Sequence, residues 1–139
     1  MRIALGTDET TPLTDHIGTW LAERGHQVEV VAADRPWPEV GRAVGTAVAG
    51  DAADVGVVCC WTGTGVAMAA TKVPGVRAAL CGDAATAAGA RRWNDANVVA
   101  LSLRLTTATV ADEVLEAFLG HAHDPDELAV IADVEPGAG

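Results

Sequence analysis

The chain alternates between two kinds of apolar pattern. Short unbroken runs rich in valine and alanine, typical of strands buried on both faces of a sheet, occupy residues 2–6, 27–31, 54–60, 76–81 and 97–101. Longer segments with helical spacing follow them, at residues 14–24, 38–48, 63–72, 83–93 and 106–119. The clearest helix is the last, in which Val110, Val114 and Phe118 recur every four residues.

Strands that alternate with helices predict a parallel sheet covered on both faces, an α/β fold built as a three-layer α/β/α sandwich. Right-handed crossovers bring the carboxyl ends of all strands to one edge, where ligand crevices form. Near the end, residues 127–134 are expected to form a short helix with Leu128 and Ile131 facing inward. We expect residues 1–135 to form a single domain and residues 136–139 to be a frayed tail.

Composition narrows the class of protein. The 139 residues suffice for one core, and nine basic against nineteen acidic side chains give a net charge of −10. This charge argues against nucleic acid or an anionic membrane surface as a partner. No run approaches the ~20 apolar residues of a membrane span, and no signal-peptide pattern opens the chain, so we expect a cytoplasmic protein. Three cysteines without a C-x-x-C pair fit a reducing compartment.

The most informative motif lies where the third apolar run ends at Cys60 and Gly63 and Gly65 open a helix. A thiol there faces the positive end of a helix dipole, which favours the thiolate. From position alone, a buried and inert cysteine is about equally plausible. Thr62 and the backbone N–H groups of Gly63 to Gly65 could bind an anion, or Thr62 could cap the helix. The spacing fits neither a P-loop nor a dinucleotide fingerprint, so no ATP or NAD site is predicted.

Other polar and aromatic residues fall in the predicted loops and at helix ends. Asp8 and Glu9 follow the first strand; Asp8 either contacts a ligand or caps the next helix. Asn94 and Asn97 precede the last strand, where amides either bind hydroxyl groups or form a turn. Trp20 is expected in the core, whereas the tryptophans on loops or at helix ends are expected to line a pocket: Trp37, Trp61 and Trp93. The spacing of His121 and His123 fits a solvated loop better than a metal site, and no metal or cofactor is predicted.

Three segments together resemble a known family. The motif Cys60-x-Thr62-Gly63-x-Gly65, residues 69–81 and residues 94–98 are similar to the sugar isomerases typified by ribose-5-phosphate isomerase B and the galactose-6-phosphate isomerase subunits. Residues 2–8 and 37–39 fit the same pattern. The resemblance implies a five-stranded Rossmann-like sandwich and a site formed across a dimer.

The resemblance also implies aldose–ketose isomerisation through an enediol, without a cofactor. In this interpretation Cys60 is the general base, and Thr62 with the N–H groups around Gly63 and Gly65 holds the oxyanion. Asp8 contacts sugar hydroxyls or assists ring opening. Further contacts to the substrate are expected from Glu9, Trp37, Trp61, Trp93, Asn94 and Asn97.

Four departures from the family pattern fall where relatives bind substrate. Glu9 replaces a histidine that helps hold the substrate phosphate, and the tail at residues 124–134 lacks the arginines that bind it. Trp93 replaces a histidine linked to ring opening, and Trp61 replaces a glycine. We therefore expect a substrate other than a standard pentose 5-phosphate. The alternative is a non-catalytic subunit or small-molecule-binding module on the same scaffold.

Overall fold

The computed structural model describes residues 1–137 and contains a parallel sheet between two layers of helices. The elements in chain order are β1 (Arg2–Thr7), α1 (Pro12–Glu23), β2 (Gln27–Ala33), α2 (Trp37–Ala49), β3 (Val55–Cys60), α3 (Thr64–Thr71), β4 (Ala78–Leu80), α4 (Ala84–Asn94), β5 (Val98–Ser102), α5 (Ala108–Leu119) and α6 (Leu128–Ala132). A 3₁₀ turn at Pro125–Glu127 precedes α6. The five strands of the described chain lie in the order β2-β1-β3-β5-β4, and the predicted α/β sandwich is confirmed.

Each face of the sheet packs against its own helices. One core cluster joins the sheet to α1, α4 and α5, with Ile17, Leu21 and Phe118 fully buried. The other joins it to α2 and α3 through Val44 and Val66. Because side chains alternate along a strand, neighbouring residues of β3 enter opposite clusters.

The predicted elements are present, with small shifts of their ends that have local causes. The strand predicted at residues 76–81 is only Ala78–Leu80, an edge strand that pairs with β5 alone. The helix predicted from residue 106 begins at Ala108, because the Thr107 side chain accepts a hydrogen bond from the Val110 N–H and caps it. Trp20 is buried as expected.

The C-terminal segment differs partly from expectation. Ile131 is buried, but Leu128 is 50% exposed, so the prediction that both face inward is wrong for Leu128. The 3₁₀ turn ends at Glu127, and the helix that follows is only Leu128–Ala132, with Ile131 as its buried residue. The single domain over residues 1–135 stays a prediction, and residues 138–139 of the predicted tail lie outside the described residues. Across residues 1–137, no helix is both long and apolar enough to cross a bilayer.

Candidate active site

The candidate site lies at the point where the strand order reverses. The chain leaves β1 for β2 on one side and returns to β3 on the other side of β1. Crevices form outside the carboxyl ends of strands at such a switch point. Thr7 and Cys59 are partners in the β1–β3 register, and the Asp8 N–H donates to the Cys59 carbonyl at 3.2 Å. Asp8 and Cys60 therefore leave the sheet side by side.

A cavity of about 350 Å³ opens at this point. It brings together six of the residues predicted from sequence and adds two neighbours from α3. The lining residues are Asp8, Trp37, Cys60, Trp61, Thr62, Thr64, Gly65 and Met68. A strand end, two loops and the first turns of two helices thus converge on one small space.

Cys60 differs from the other two cysteines in what its side chain faces. It is only 4% exposed, yet it lines the cavity, so its thiol is not sealed in the core. Cys59 points to the opposite face of the sheet, where burial raises the pKa of its thiol to about 12. Burial likewise raises the pKa of the Cys81 thiol to about 11. Cys59 and Cys81 are therefore protonated core residues at neutral pH.

The amino end of α3 faces the cavity without a side-chain cap. Its N-cap residue is Gly63, and no side chain accepts a hydrogen bond from the first turn. The Thr62 hydroxyl instead pairs with the Thr64 hydroxyl at 2.8 Å, so Thr62 does not cap the helix. The first N–H groups of a helix carry partial positive charge and bind anions when no cap satisfies them.

The position of Gly63 admits no side chain. Its φ is +77°, a conformation that L residues other than glycine adopt at a cost. A Cβ there would lie 2.5 Å from Leu80 Cδ1 and 3.0 Å from the Leu101 backbone. Glycine at this position lets the chain turn sharply from β3 into α3.

Two tryptophans form the apolar walls of the cavity. A Cβ at Gly65 would lie 2.8 Å from the Trp37 ring, so this ring lies directly on the first turn of α3. Trp61 is 60% exposed, but its carbonyl is fixed by the Ser102 hydroxyl at 3.0 Å and the Arg104 N–H at 3.1 Å. The backbone beside Cys60 is thus tied to the end of β5.

Asp8 is half-buried in the wall of the cavity. Its pKa is raised, first by loss of solvent on burial and second by the charge of Glu9. Glu9 itself is exposed, and its backbone carbonyl accepts a hydrogen bond from the Thr7 hydroxyl at 2.7 Å. Asp34, the residue directly after β2, holds this loop in place. Its carboxylate accepts hydrogen bonds from the Thr10 N–H at 2.7 Å and from the Thr10 hydroxyl at 2.8 Å.

Trp93 and Asn94 do not line this cavity. They line a second one, of about 420 Å³, between the β4 edge and α6. Asn97 has both ends of its amide engaged: Oδ1 accepts from the Arg77 N–H at 2.8 Å, and Nδ2 donates to the Gly75 carbonyl at 2.9 Å. These bonds favour a structural role for Asn97, and its contact with substrate stays a prediction.

Arg104 is a residue that sequence reasoning missed. Arg104 follows β5, and its backbone N–H donates a hydrogen bond to the Trp61 carbonyl. This bond places Arg104 at the same edge of the sheet as Cys60. Within residues 1–137 its side chain is exposed and makes no ion pair or hydrogen bond. The sequence did contain a signal for this residue, namely a single basic side chain shortly after the last strand. No group of three His, Cys, Asp or Glu in that part of the chain could hold a metal ion.

Comparisons with known proteins agree with this architecture. The family model described as "Ribose/Galactose Isomerase" matches residues 3–130. Galactose-6-phosphate isomerase subunit LacB of Clostridium acetobutylicum is 34% identical, over 90% of this chain and 75% of that protein. Ribose-5-phosphate isomerase B of Escherichia coli is 35% identical, over 88% and 86%.

Among solved structures, ribose-5-phosphate isomerase B of Clostridium thermocellum superposes with a TM-score of 0.90 at 30% identity, covering 96% of this chain and 95% of that chain. The type B enzyme of Trypanosoma cruzi gives 0.88 at 31% identity, with the same coverage. Sequence and fold agree over nearly the whole length of the chain. The chain belongs to the ribose/galactose isomerase family.

Proposed function

We propose that this protein is an aldose–ketose isomerase that transfers a proton between adjacent sugar carbons, with Cys60 as the base. The observation that carries this proposal is the Cys60 thiol lining a cavity beside the uncapped amino end of α3. The named relatives, ribose-5-phosphate isomerase B and a galactose-6-phosphate isomerase subunit, support the reaction class.

The proposed chemistry needs a base and a set of fixed donors. The Cys60 thiolate removes the proton from the carbon next to the carbonyl, and the electron pair of the broken C–H bond forms the enediolate double bond. Negative charge then develops on the former carbonyl oxygen. The N–H groups at the start of α3 and the Thr62 hydroxyl are the donors that stabilise it. Cys60 returns the proton to the neighbouring carbon, and the hydroxyl proton moves between the two oxygens.

We assign Asp8 to contacting the sugar hydroxyls or assisting ring opening. It is the only carboxyl group that lines the cavity among the described residues, whereas Trp93 cannot exchange a proton near neutral pH. Its raised pKa increases the fraction that is protonated and can donate to a sugar oxygen.

In this proposal, Trp93 and Asn94 of one copy of the chain line the Cys60 cavity of a second copy. The resemblance implies a site formed across a dimer, and in one chain these residues line a different cavity. Large apolar side chains around that second cavity are exposed: Trp93 by 53%, Val130 by 64% and Val134 by 66%. Burial of these side chains against a second copy would stabilise a homodimer.

The proposed substrate is not a standard pentose 5-phosphate. Asp8 and Glu9 lie together at the catalytic edge, so a phosphate dianion beside Glu9 would be repelled. Turnover of ribose 5-phosphate should be poor compared with that of unphosphorylated sugars. Efficient use of the phosphate ester would overturn this part of the proposal. We place the protein in the cytoplasm, where its three unpaired thiols stay reduced.

The competing function is a non-catalytic subunit or binding module, favoured by Trp61 and Trp93 where the family has glycine and histidine. The two functions differ in whether the purified chain exchanges protons with its ligand. Incubation of the protein alone with a panel of aldoses in D₂O, followed by proton NMR, should show deuterium next to the carbonyl. Binding of a sugar without deuterium incorporation would favour the module.

A further inference from the structure

The loop between β1 and α1 carries Asp8 to the cavity, and the Asp8 carboxyl group has no side-chain partner that aims it. Within residues 1–137, no side chain donates a hydrogen bond to this carboxyl group. Helix α1 begins after the loop and is capped by Thr11, so Asp8 is not its cap. The direction of the Asp8 carboxyl group therefore depends on how the backbone of residues 7–10 is held.

Asp34 holds this segment at both of its ends. The Asp34 N–H donates a hydrogen bond to the Thr7 carbonyl at 3.1 Å. The two carboxylate oxygens of Asp34 accept hydrogen bonds from the Thr10 N–H at 2.7 Å and from the Thr10 hydroxyl at 2.8 Å. Hydrogen bonds to an ionised acceptor are stronger than those between neutral groups, and these two lower the pKa of Asp34. Asp8 and Glu9 thus lie between two points that are fixed to one residue.

The segment between these two points is short and internally bonded. The Thr7 hydroxyl donates to the Glu9 carbonyl at 2.7 Å and accepts a hydrogen bond from the Glu9 N–H at 3.3 Å. The Asp8 N–H is bonded in turn to the Cys59 carbonyl at 3.2 Å. Only Glu9 separates Asp8 from Thr10. A displacement of Thr10 therefore reaches Asp8 through a single intervening residue.

The backbone of Asp34 indicates that its side chain has a role at this position. Its φ is +56°, in the left-handed region that favours glycine and that aspartate adopts more easily than most other residues. Glycine would adopt this conformation at a lower cost but could not bond to Thr10. Residues in such conformations cluster at functional sites, where the surrounding contacts fix them. Asp34 directly follows β2, so it lies at the same edge of the sheet as Asp8 and Cys60.

We propose that Asp34 is a positioning residue, which acts on the reaction by fixing the Asp8 carboxyl group at the wall of the cavity. Asp34 does not line the cavity itself, so it acts through Asp8 and not on the substrate. The inference rests on the proposed function, in which Asp8 contacts sugar hydroxyls or assists ring opening. Without the Thr10 contacts the loop adopts other conformations, and a smaller fraction of the protein holds Asp8 within reach of the sugar.

Removal of the Asp34 carboxylate, with and without Asp8, tests the proposal. Asp34→Gly suits the positive φ, so it should leave the melting temperature nearly unchanged while it lowers the rate of deuterium exchange into the preferred sugar about tenfold. In the Asp8→Asn background, Asp34→Gly should change the rate by less than about twofold, because the residue through which it acts is gone. Asp34→Asn should retain at least about a third of the wild-type rate, since an amide can accept from the Thr10 N–H and donate to the Thr10 hydroxyl.

Asp51→Gly is the matched control. Asp51 also has a positive φ, of +59°, but it lies between α2 and β3, at the opposite edge of the sheet. This variant should exchange deuterium at the wild-type rate. A wild-type rate in Asp34→Gly would overturn the proposal. A loss of equal size with and without Asp8 would also overturn it, because it would show a general effect on the fold.

A wild-type protein that binds a sugar without deuterium exchange would contradict the proposed isomerase, and affinity would then measure the role of Asp34. Titration calorimetry with that sugar uses the same variants. Asp34→Gly should weaken binding in the wild-type background and leave it unchanged in the Asp8→Asn background. Equal weakening in both backgrounds, or none in either, would overturn the positioning role. Failure of the isomerase and failure of the positioning role are thus distinguishable.

Discussion

Cys59 and Cys60 are adjacent at the end of β3, but only Cys60 lines the candidate active site. The pleat of the strand sends Cys59 into the cluster beneath α1 and α5 and sends Cys60 towards α2 and α3, at the cavity. Position in the sequence gave an inert core role to Cys60 equal weight, and the family resemblance favoured the catalytic role. The position of the cavity relative to the strand end is what distinguishes the two thiols.

Thiol alkylation should reveal this difference directly. In the folded protein at pH 8, iodoacetamide should modify Cys60 and leave Cys59 and Cys81 unmodified, because burial keeps those two thiols protonated and inaccessible. Peptide mapping by mass spectrometry measures the three sites separately. Denatured protein, in which all three react, is the control. Equal labelling of Cys59 and Cys60 in the folded state would contradict the assignment of faces.

Gly63 should be far less tolerant of substitution than a glycine with the same backbone conformation elsewhere. Gly63→Ala adds a steric conflict with Leu80 and Leu101 to the strain of a positive φ, and should lower the free energy of unfolding by about 2 to 4 kcal/mol. Gly75→Ala is the matched control, since Gly75 has a φ of +86° but open space around it. Its loss should be about 1 to 2 kcal/mol. Denaturant titration measures both, and equal losses would show that the steric conflict is relieved.

At the scale of elements, the apolar pattern predicted the number, type and order of the strands and main helices. The ends were less predictable, because they depend on contacts that the pattern does not contain. β4 is an edge strand of only three residues, and α5 starts at its Thr107 cap. For the site, strand-end positions predicted Asp8 and Cys60 together, and a position at a helix end predicted Trp37 beside them. Trp93 and Asn94 precede β5, so they lie at the amino edge of the parallel sheet and line a separate cavity there. The backbone partners of the Asn97 amide could not be predicted from the sequence, because they depend on how two loops meet.

An ion pair that joins the start of β1 to the start of β3 should give a pH-dependent contribution to stability. Hydrogen bonds from Arg2 lower the pKa of Asp54 to about 2, below the unfolded value of roughly 3.9. A lowered folded pKa means stabilisation that is present above about pH 4 and lost as the pH falls through 2. Asp54→Asn should therefore be less stable than the wild type at pH 7, and the difference should shrink as the pH falls from 4 to 2. Thermal melts across this range test the sign, and a difference as large at pH 2 as at pH 7 would exclude the ion pair as its cause.

At the scale of the whole molecule, two separate cavities are the basis of the proposed homodimer. The cavity with Cys60 and the cavity with Trp93 and Asn94 lie apart in one chain, and exposed apolar side chains flank the second. In the proposed homodimer, a second copy brings these two cavities together around the substrate.

Sedimentation should detect this assembly. We expect a homodimer at micromolar concentration, and Val130→Glu should weaken it, because the charge would be buried in the interface. Activity should fall with the dimer population. Leu105→Glu is a control with a similarly exposed apolar side chain, 76% exposed, outside the cavity with Trp93. A monomeric wild-type protein with full activity would contradict a site shared between copies.

The most direct test of the central claim is deuterium incorporation by cysteine variants. The wild type should incorporate solvent deuterium next to the carbonyl of its preferred sugar, as measured by proton NMR. Cys60→Ser should lower the rate by at least about a hundredfold while the fold and sugar binding persist, because it removes the base. Cys59→Ser, one residue away on the opposite face, should retain most of the activity. Exchange by Cys60→Ser at the wild-type rate would contradict the assignment of Cys60 as the proton carrier.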